Sequence, residues 1–389
     1  MISPPGYHSI TQRSAEQNLP KRSNQTSGQR IQIYQATRNS DGIPVLLYQL
    51  QTTSLTSEAA IQFRRAFELS QTLTTDAVLA TLDWLEYRQT PIMVMAYSSA
   101  LPLIQHLGQR RATIREAITL ARGITQAIDT LHAQHVLHQN INPNSILVNA
   151  TTKEIRLTHL HLARRISTQH HTISRHNGPQ GDLHYISPEQ TGRLEQPVDY
   201  RTDFYALGVT LYELLTGQLP FATKDSLELV YHHIATRPTP PKQRNPQVPK
   251  ALERIVMKLL EKSPADRYQS AFAIQQDLET CSRLLEQGRA DEAQTDFEIA
   301  LDDISEQLTL PDILLQRSSQ ITALEKQLQQ CAVEGPCIIF CIGEEGSGKT
   351  ALLRELRKKN TALGGLSGSC MLTEDNQQIP YAGIRNMFA

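Results

Sequence analysis

The sequence predicts an α+β chain of two lobes, a small β-rich lobe followed by a larger helical one, and then the start of an α/β domain. Three observations carry this. Short β-type runs dominate residues 31–97, with a single helical stretch among them. From Thr113 onward the apolar residues recur at helical spacing. Near the end, a strand-like run, a glycine turn and a helix-like run follow one another directly between Cys337 and Lys359. At 389 residues the chain is also too long for one ordinary domain.

Residues 1–30 are polar and rich in Gln, Ser, Thr and Asn, and read as a segment leading into a first strand at Ile31. The 31–97 lobe then contains RIQIYQA, PVLLYQL and the pair AVLATLDWLEY and TPIMVMAY. That pair flanks Arg88-Gln89 and reads as a hairpin. Ser57 to Leu73 reads as its one helix. In the 98–284 lobe, Thr113 and Glu116 form a capping box. Ile114, Ile118, Ala121, Ile124, Ile128 and Leu131 continue it as a helix. SILVNA and EIRLTHL read as a strand pair. Phe204 to Leu215 is apolar almost all round, which predicts a buried helix ended by Gly217 and Pro220. LERIVMKLLEK (Leu252 to Lys262) is amphipathic. Residues 285–312 are strongly acidic and read as a linker, and residues 313–389 as an incomplete second domain with a strand over CIIFCI and another near Gly365 to Met371.

Composition excludes several function classes. The longest apolar run, Cys337 to Ile342, is far too short to cross a bilayer, so no membrane span is expected. Lys and Arg number 38 against 39 Asp and Glu, which removes the simple electrostatic case for a nucleic-acid binder. The cysteines (Cys281, Cys331, Cys337, Cys341 and Cys370) are odd in number and form no C-x-x-C pair. That usage suits a reducing cytoplasm, with Cys337 and Cys341 as core thiols of the predicted strand.

Four stretches bear a resemblance to a known family. They are LHAQHVLHQNINPNSILV (Leu131 to Val148), YISPEQTGR (Tyr185 to Arg193), DYRTDFYALGVTLYELLTGQLPF (Asp199 to Phe221) and DRYQS (Asp266 to Ser270). Their order over roughly residues 7–284 resembles the serine/threonine protein-kinase domain. The closest resemblance is to the domain at the front of bacterial hybrid signalling proteins, where an AAA/STAND-type ATPase module follows. The resemblance implies a two-lobed protein-kinase-like fold in which His138, Glu189, Asp203 and Arg267 hold the larger lobe together. Glu189 would pair with Arg267, and Asp203 would cap the catalytic-loop backbone.

The chemistry such a domain needs is altered at each place where the resemblance locates it. Kinases position ATP and neutralise charge on the transferred phosphoryl group. The glycine loop, TSGQRIQIY, keeps only Gly28, with Thr26 and Ile31 at the other glycine places. The phosphate-holding lysine is Tyr48. Its helix partner, a glutamate in the family, aligns with Ala66, with Glu68 close by. The H-x-D-x-K-x-x-N loop reads His138 to Ser145, so that Asn140 stands for the base, Asn142 for the lysine and Ser145 for a metal ligand. An amide cannot accept the hydroxyl proton at pH 7. His159 stands for the metal-binding aspartate of D-F-G, and imidazole is a poor magnesium ligand. No carboxylate occurs within Leu131 to Ser145 or Ile155 to Arg165. The reading is a pseudokinase with a regulatory or scaffold role, whose partners are other signalling proteins or modules of a longer hybrid kinase. The alternatives are an active serine/threonine kinase and an ATPase or nucleotide switch. His161, His170, His171, His176 and His184 crowd the same region, together with Ser167, Thr168, Thr172 and Ser174, and read as a solvated polar loop.

The second motif, Gly343 to Thr350, is G-x-x-x-x-G-K-T between a β-type run and ALLRELRKK, the context a P-loop requires. Loop N–H groups, those of Gly343, Gly346, Ser347 and Gly348 among them, would cradle the phosphates of ATP. Lys349 would reach the outer phosphates and Thr350 would bind Mg²⁺. Upstream, ILLQRSSQITALEKQL resembles the leading helix of AAA/STAND-type modules, with Arg317 the one match to L-x-G-R-E. No Asp or Glu closes an apolar run after Lys349, so a phosphate cradle is expected without its hydrolytic half.

Overall fold

Five strands pair antiparallel in the order β1-β2-β3-β5-β4 to build the first lobe. They are β1 (Tyr7–Arg13), β2 (Ile31–Arg38), β3 (Pro44–Leu50), β4 (Thr81–Tyr87) and β5 (Thr90–Ala96), with helix α1 (Glu58–Gln71) between β3 and β4. The structure, a computed structural model, describes residues 4–13, 31–51, 58–108, 110–166, 181–194, 196–288, 298–301, 303–304, 317–335, 339–343, 347–349, 352–353 and 356. The chain divides into two units, Met1–Glu306 and Gln307–Ala389.

The first strand corrects the expectation for residues 1–30. β1 lies within them and pairs with β2 from Tyr7↔Arg38 to Arg13↔Ile33, with a bulge between His8 and Thr11. Its polar composition fits an edge strand, where Tyr7 is buried, Ile10 packs partly against the same core and most other side chains are exposed. The strand β3 is buried on both faces. Val45 and Leu47 join Tyr34, Ile92 and Val94 on one side, and Leu46, Tyr48 and Leu50 meet Phe63 and Ala66 of α1 on the other. The predicted hairpin turns at Arg88 and Gln89, both with positive φ (50° and 59°). Positive φ at both central residues is the turn whose twist matches paired strands.

The second lobe begins at β6 (Leu101–Pro102) and α2 (Leu103–Leu107). The capping box is formed: the Thr113 side chain accepts from the Glu116 amide as α3 (Ile114–His132) starts. The short strands β7 (Val136–Leu137), β8 (Ile146–Val148), β9 (Ile155–Leu157) and β10 (Arg164–Arg165) follow, with β8 and β9 paired. Helices α4 (Arg201–Thr216), α5 (Ser226–Ala235), α6 (Pro241–Arg244), α7 (Lys250–Leu259) and α8 (Ala271–Glu286) complete it. In α4 every residue except Arg201 and Glu213 is buried. Gly208 lets α7 approach, since a Cβ there would meet Leu259 Cβ at 2.7 Å.

Part of the acidic stretch is not free linker. Ile299 and Ala300 pack on the lobe's core. Asp303 accepts the backbone N–H groups of Gln269 (2.8 Å) and Ser270 (2.9 Å) at the start of α8. A helix start attracts a carboxylate, which explains why acidic residues dock here.

In Gln307–Ala389 the described helix is α9 (Ser318–Glu334), with Leu324 buried. The expected strand over CIIFCI is not formed at its described residues. Ile339, Phe340 and Ile342 are exposed and Cys341 is half-buried, so Cys341 is not a core thiol. No described residue pairs with this run, and an unpaired strand leaves its backbone groups without a ladder. Cys281 is the buried thiol of the first unit, and burial pushes it up to about 12. Among the described residues no helix is long and apolar enough to cross a membrane.

Candidate functional site

Four segments bring the altered residues together in Met1–Glu306. Strand β3 carries Tyr48, α1 carries Ala66, the loop between β7 and β8 carries His138 to Ser145, and the turn after β9 carries His159. Alternation along β3 puts Tyr48 on the α1 side with Leu46 and Leu50. Helix geometry settles the Ala66 or Glu68 alternative in favour of Ala66. Ala66 is buried and lines a small cavity of about 30 Å³ with Tyr48, Phe63, Met93, Met95, Thr158, His159 and His161. Glu68 is exposed and bonds Arg64 one turn back. Among the described residues, no Asp, Glu, Lys or Arg lines the cavity.

The groups at this point are neutral. The Tyr48 and His159 rings lie 6.1 Å apart, and those of His159 and His161 6.3 Å apart. Burial, then the neighbouring histidine, lowers His159 to about 4, and burial likewise lowers His161 to about 3. Burial raises the Tyr48 phenol. Near pH 7 a phenol and two uncharged imidazoles therefore stand where a nucleotide's phosphates and metal would need charge. His159 has φ 61°, a left-handed conformation in which histidine is enriched.

Several of the loop's polar groups bond one another. Asn142 Nδ2 donates to Asn140 O (2.9 Å) and Oδ1 (3.2 Å), and Asn142 Oδ1 accepts the Asn144 amide. Ser145 Oγ donates to Asn140 O at 2.8 Å. His138 Nδ1 accepts the Asn140 amide, which leaves Nε2 to donate to Thr158 O at 2.9 Å. Among the described residues of the cavity wall and of the His138 to Ser145 loop there is neither a carboxylate for a magnesium ion nor a cation for phosphates, and those residues do not fit a magnesium-bound nucleotide. Thr26 and Gly28 of the glycine loop lie outside the described residues, while Ile31 is buried at the cavity wall.

Beneath the cleft the scaffold groups are tightly bonded. Asp203 accepts the amides of His138 (2.9 Å) and Gln139 (2.8 Å) and meets His132 Nε2 at 2.9 Å. Burial would raise its carboxyl, but these donors and neighbouring imidazoles hold it low. Arg267 donates twice to Glu189, at 2.7 Å each, and both side chains are fully buried. Burial opposes the Glu189 charge, and the paired guanidinium outweighs it, keeping that carboxyl low as well. Arg267 also donates to the carbonyls of Glu261, Lys262 and Arg201, so all five of its N–H groups are used.

Chain order concealed two features of the cleft. Gly181 arrives from the later segment so closely that a Cβ there would meet Asn140 Oδ1 at 2.9 Å. The next residue, Asp182, is a carboxylate from the same later segment, and it is turned onto His184, accepting its ring at 2.8 Å and its amide at 3.1 Å. Arg13 of β1 donates to Ser98 O at 2.8 Å and lies over the Tyr97 ring, linking the first strand to the connection between the lobes. A signal for either would have required knowing which distant segments pack together. His170, His171, His176, Ser167, Thr168, Thr172 and Ser174 lie outside the described residues. Among those described, no three His, Cys, Asp or Glu converge as metal ligands.

The glycine loop belongs to Gln307–Ala389. Gly343, Ser347, Gly348 and Lys349 are described, whereas Gly346 and Thr350 lie outside. Gly348 has φ 87°, and a Cβ on Gly343 would meet Ser347 Oγ at 2.8 Å. Gly348 thus takes a left-handed conformation that glycine favours. Lys349 Nζ donates to Gly343 O at 2.8 Å, and Lys349 opens a helical turn in which the Leu352 amide bonds Gly348 O. The described residues, two glycines, a serine and a lysine, are of the types a phosphate-binding loop uses.

Similarity to known proteins follows the same division. A model described as "Protein kinase domain" matches residues 26–278, and one described as "AAA ATPase domain" matches residues 313–389. The chain is 34% identical over 219 residues to hybrid signal transduction histidine kinase G of Dictyostelium discoideum, covering 52% of this chain and 6% of that protein. It is 32% identical over 225 residues to a probable serine/threonine-protein kinase of Clostridium perfringens, 57% of this chain and 32% of that one. It is 30% identical over 224 residues to serine/threonine-protein kinase PknB of Mycobacterium tuberculosis, 56% of this chain and 35% of that one. The chain thus spans about a third or less of the length of these relatives. With a sheet-based lobe, a helical lobe and a family model that spans well over half its residues, the chain belongs to the protein kinase domain family and continues into an AAA-type ATPase match.

Proposed function

We propose that the kinase domain has lost phosphoryl transfer and acts as a regulatory or scaffolding module, joined to a nucleotide-binding P-loop module. The observation that carries this is the neutral cluster of Tyr48, Ala66 and His159 at one cavity, together with Asn140 in the loop between β7 and β8, where phosphate-holding lysine, metal ligand and base would be needed. Such groups are each worth orders of magnitude in rate, so their joint replacement removes most transition-state stabilisation. The retained Glu189–Arg267 pair and Asp203 cap support a stable lobe without supplying chemistry. Its partners are other signalling proteins or modules of a longer hybrid protein, a reading that the name of the Dictyostelium relative supports. Cytoplasmic placement accords with the free Cys281.

The test is incubation of the intact chain with radiolabelled ATP, Mg²⁺ and a generic serine/threonine acceptor. The expected result is no incorporation above a blank. Label that appears, and that disappears on Asn140→Ala or His159→Ala, overturns the proposal in favour of an active kinase. A second reading, a nucleotide switch, is favoured by the G-x-x-x-x-G-K-T motif and by the contact of Lys349 with Gly343 O. In that reading ATP and Mg²⁺ bind at the loop, with Thr350 as the magnesium ligand.

A further inference from the structure

One lysine of the helical lobe lies against aromatic rings rather than against a carboxylate. Lys262 follows α7, and its Nζ sits 4.6 Å over the Phe221 ring and 5.8 Å over the Tyr205 ring. Its hydrogen-bond acceptor among the described residues is the His232 carbonyl, at 3.1 Å. The Arg267 guanidinium lies 4.9 Å over the same Tyr205 ring and donates to the Lys262 carbonyl at 3.0 Å, so a second cation is fixed beside the amine. The Lys262 side chain is half-buried, not sealed.

The chemistry follows from these surroundings. An ammonium withdrawn from water needs an opposite charge, and this one has ring faces, a carbonyl and a neighbouring cation. Burial and then Arg267 lower the amine to about 7, against a smaller opposing pull from Glu261. The other titratable groups around it are engaged elsewhere. Tyr205 bonds His233 Nδ1 at 2.9 Å, and His232 Nδ1 meets Thr236 Oγ1 at 2.9 Å while its Nε2 lies 3.6 Å from Glu228. Near neutral pH much of the protein therefore carries Lys262 uncharged, the form whose lone pair is a nucleophile. The same amine bears on packing. Phe221 stacks on His232 (5.7 Å, 13°) and joins Leu183, Ile186, Leu229 and Val230 in the small core that seats α5. In its charged form Lys262 holds α5 through that ring and through the His232 carbonyl.

We propose that Lys262 is a modification site: its amine takes an acyl group from a small acyl phosphate, and the loss of its charge loosens α5 from the lobe. The amine lone pair attacks the acyl carbon and an N–C bond forms. The bond from that carbon to the phosphate oxygen breaks, its electron pair leaves with inorganic phosphate, and the phosphate takes the surplus proton of the amine. A small donor suits a half-buried amine. The site stands whether or not the cleft transfers phosphate.

The experiment is incubation of the intact chain with acetyl phosphate across a pH series, followed by peptide mass spectrometry of each lysine. At pH 7 Lys262 should be acetylated about tenfold faster than the exposed Lys153, Lys224 and Lys250. Its rate should level off above about pH 8, where that of an ordinary lysine amine, with a pKa near 10.4, still climbs. Hydrogen exchange then reads the consequence. In the acetylated chain, and in Lys262→Gln, the amides of α5 should exchange several-fold faster while those of α3 keep their protection. Lys262→Arg keeps a charge over Phe221 and should leave α5 as it is in the unaltered chain. Three outcomes overturn the proposal: Lys262 modified no faster than the three exposed lysines, a rate at Lys262 that climbs with pH as an ordinary amine's does, or α5 exchange that is unchanged, or quickened equally in α3, once Lys262 is acetylated.

Discussion

At the scale of single residues, the cleft is defined by groups kept uncharged. His159 and His161 are lowered to about 4 and about 3 by burial. An imidazole that resists protonation when folded gains its proton first in the unfolded chain as pH falls from the ordinary value of 6.5. Its stabilising effect is therefore fully present above pH 6.5 and is lost as pH falls from there toward about 4. Each such histidine contributes up to about 1.4 kcal/mol per pH unit across that window. Glu189 and Asp203, both held low, add their own losses in more acidic solution. NMR titration of the imidazole ring protons should show His159 and His161 still neutral at about pH 5, below where a free histidine titrates. The His161→Phe variant should flatten the decline of unfolding free energy between pH 6.5 and 4. A His159 titration midpoint near the ordinary value would contradict this account of the cleft.

At the scale of elements, the β4–β5 hairpin shows a local rule met by unusual residues. Its turn places Arg88 at φ 50° and Gln89 at φ 59°, which side chains other than glycine, asparagine and aspartate adopt at a cost of about 1–2 kcal/mol. Arg88 recovers part of this by lying 5.1 Å over the Tyr87 ring. Gln89→Gly should therefore raise unfolding free energy by about 0.5–1 kcal/mol, the relief of strain being partly offset by a freer unfolded chain. The measurement is a urea midpoint that rises at constant slope. A midpoint that falls would mean that the strain is already compensated by packing against β5. The Thr113 capping box is the opposite case, in which preferred residues sit in a preferred geometry at the start of α3.

At the scale of the whole molecule, the acidic stretch after α8 is tied to the kinase lobe. Asp303 holds the amides of Gln269 and Ser270, two and three residues beyond Arg267, which pairs with Glu189. Asp277 accepts the Ala300 amide at 2.9 Å and so fastens the same segment a second time. In Asp303→Ala, hydrogen exchange at Gln269 and Ser270 should quicken by more than tenfold while α4 keeps its protection. Equal exchange in the two proteins would mean that Asp303 adds nothing to the protection of those amides.

The hairpin, the capping box and the buried α4 were legible in the sequence, because each depends on hydrogen bonds and side-chain periods within a few residues. So were the residue types at Tyr48, Asn140 and His159, whose chemistry needs no coordinates to judge. What only the tertiary structure decided were the partnerships across long separations. It placed Ala66 rather than Glu68 against Tyr48, paired the polar β1 with β2, brought Gly181 onto Asn140, docked Asp303 at α8, and left Ile339 to Ile342 without a strand partner. Composition and period carry no record of such pairings, since a helix face, a sheet edge or a carboxylate acquires its role only from whichever distant segment the fold sets beside it.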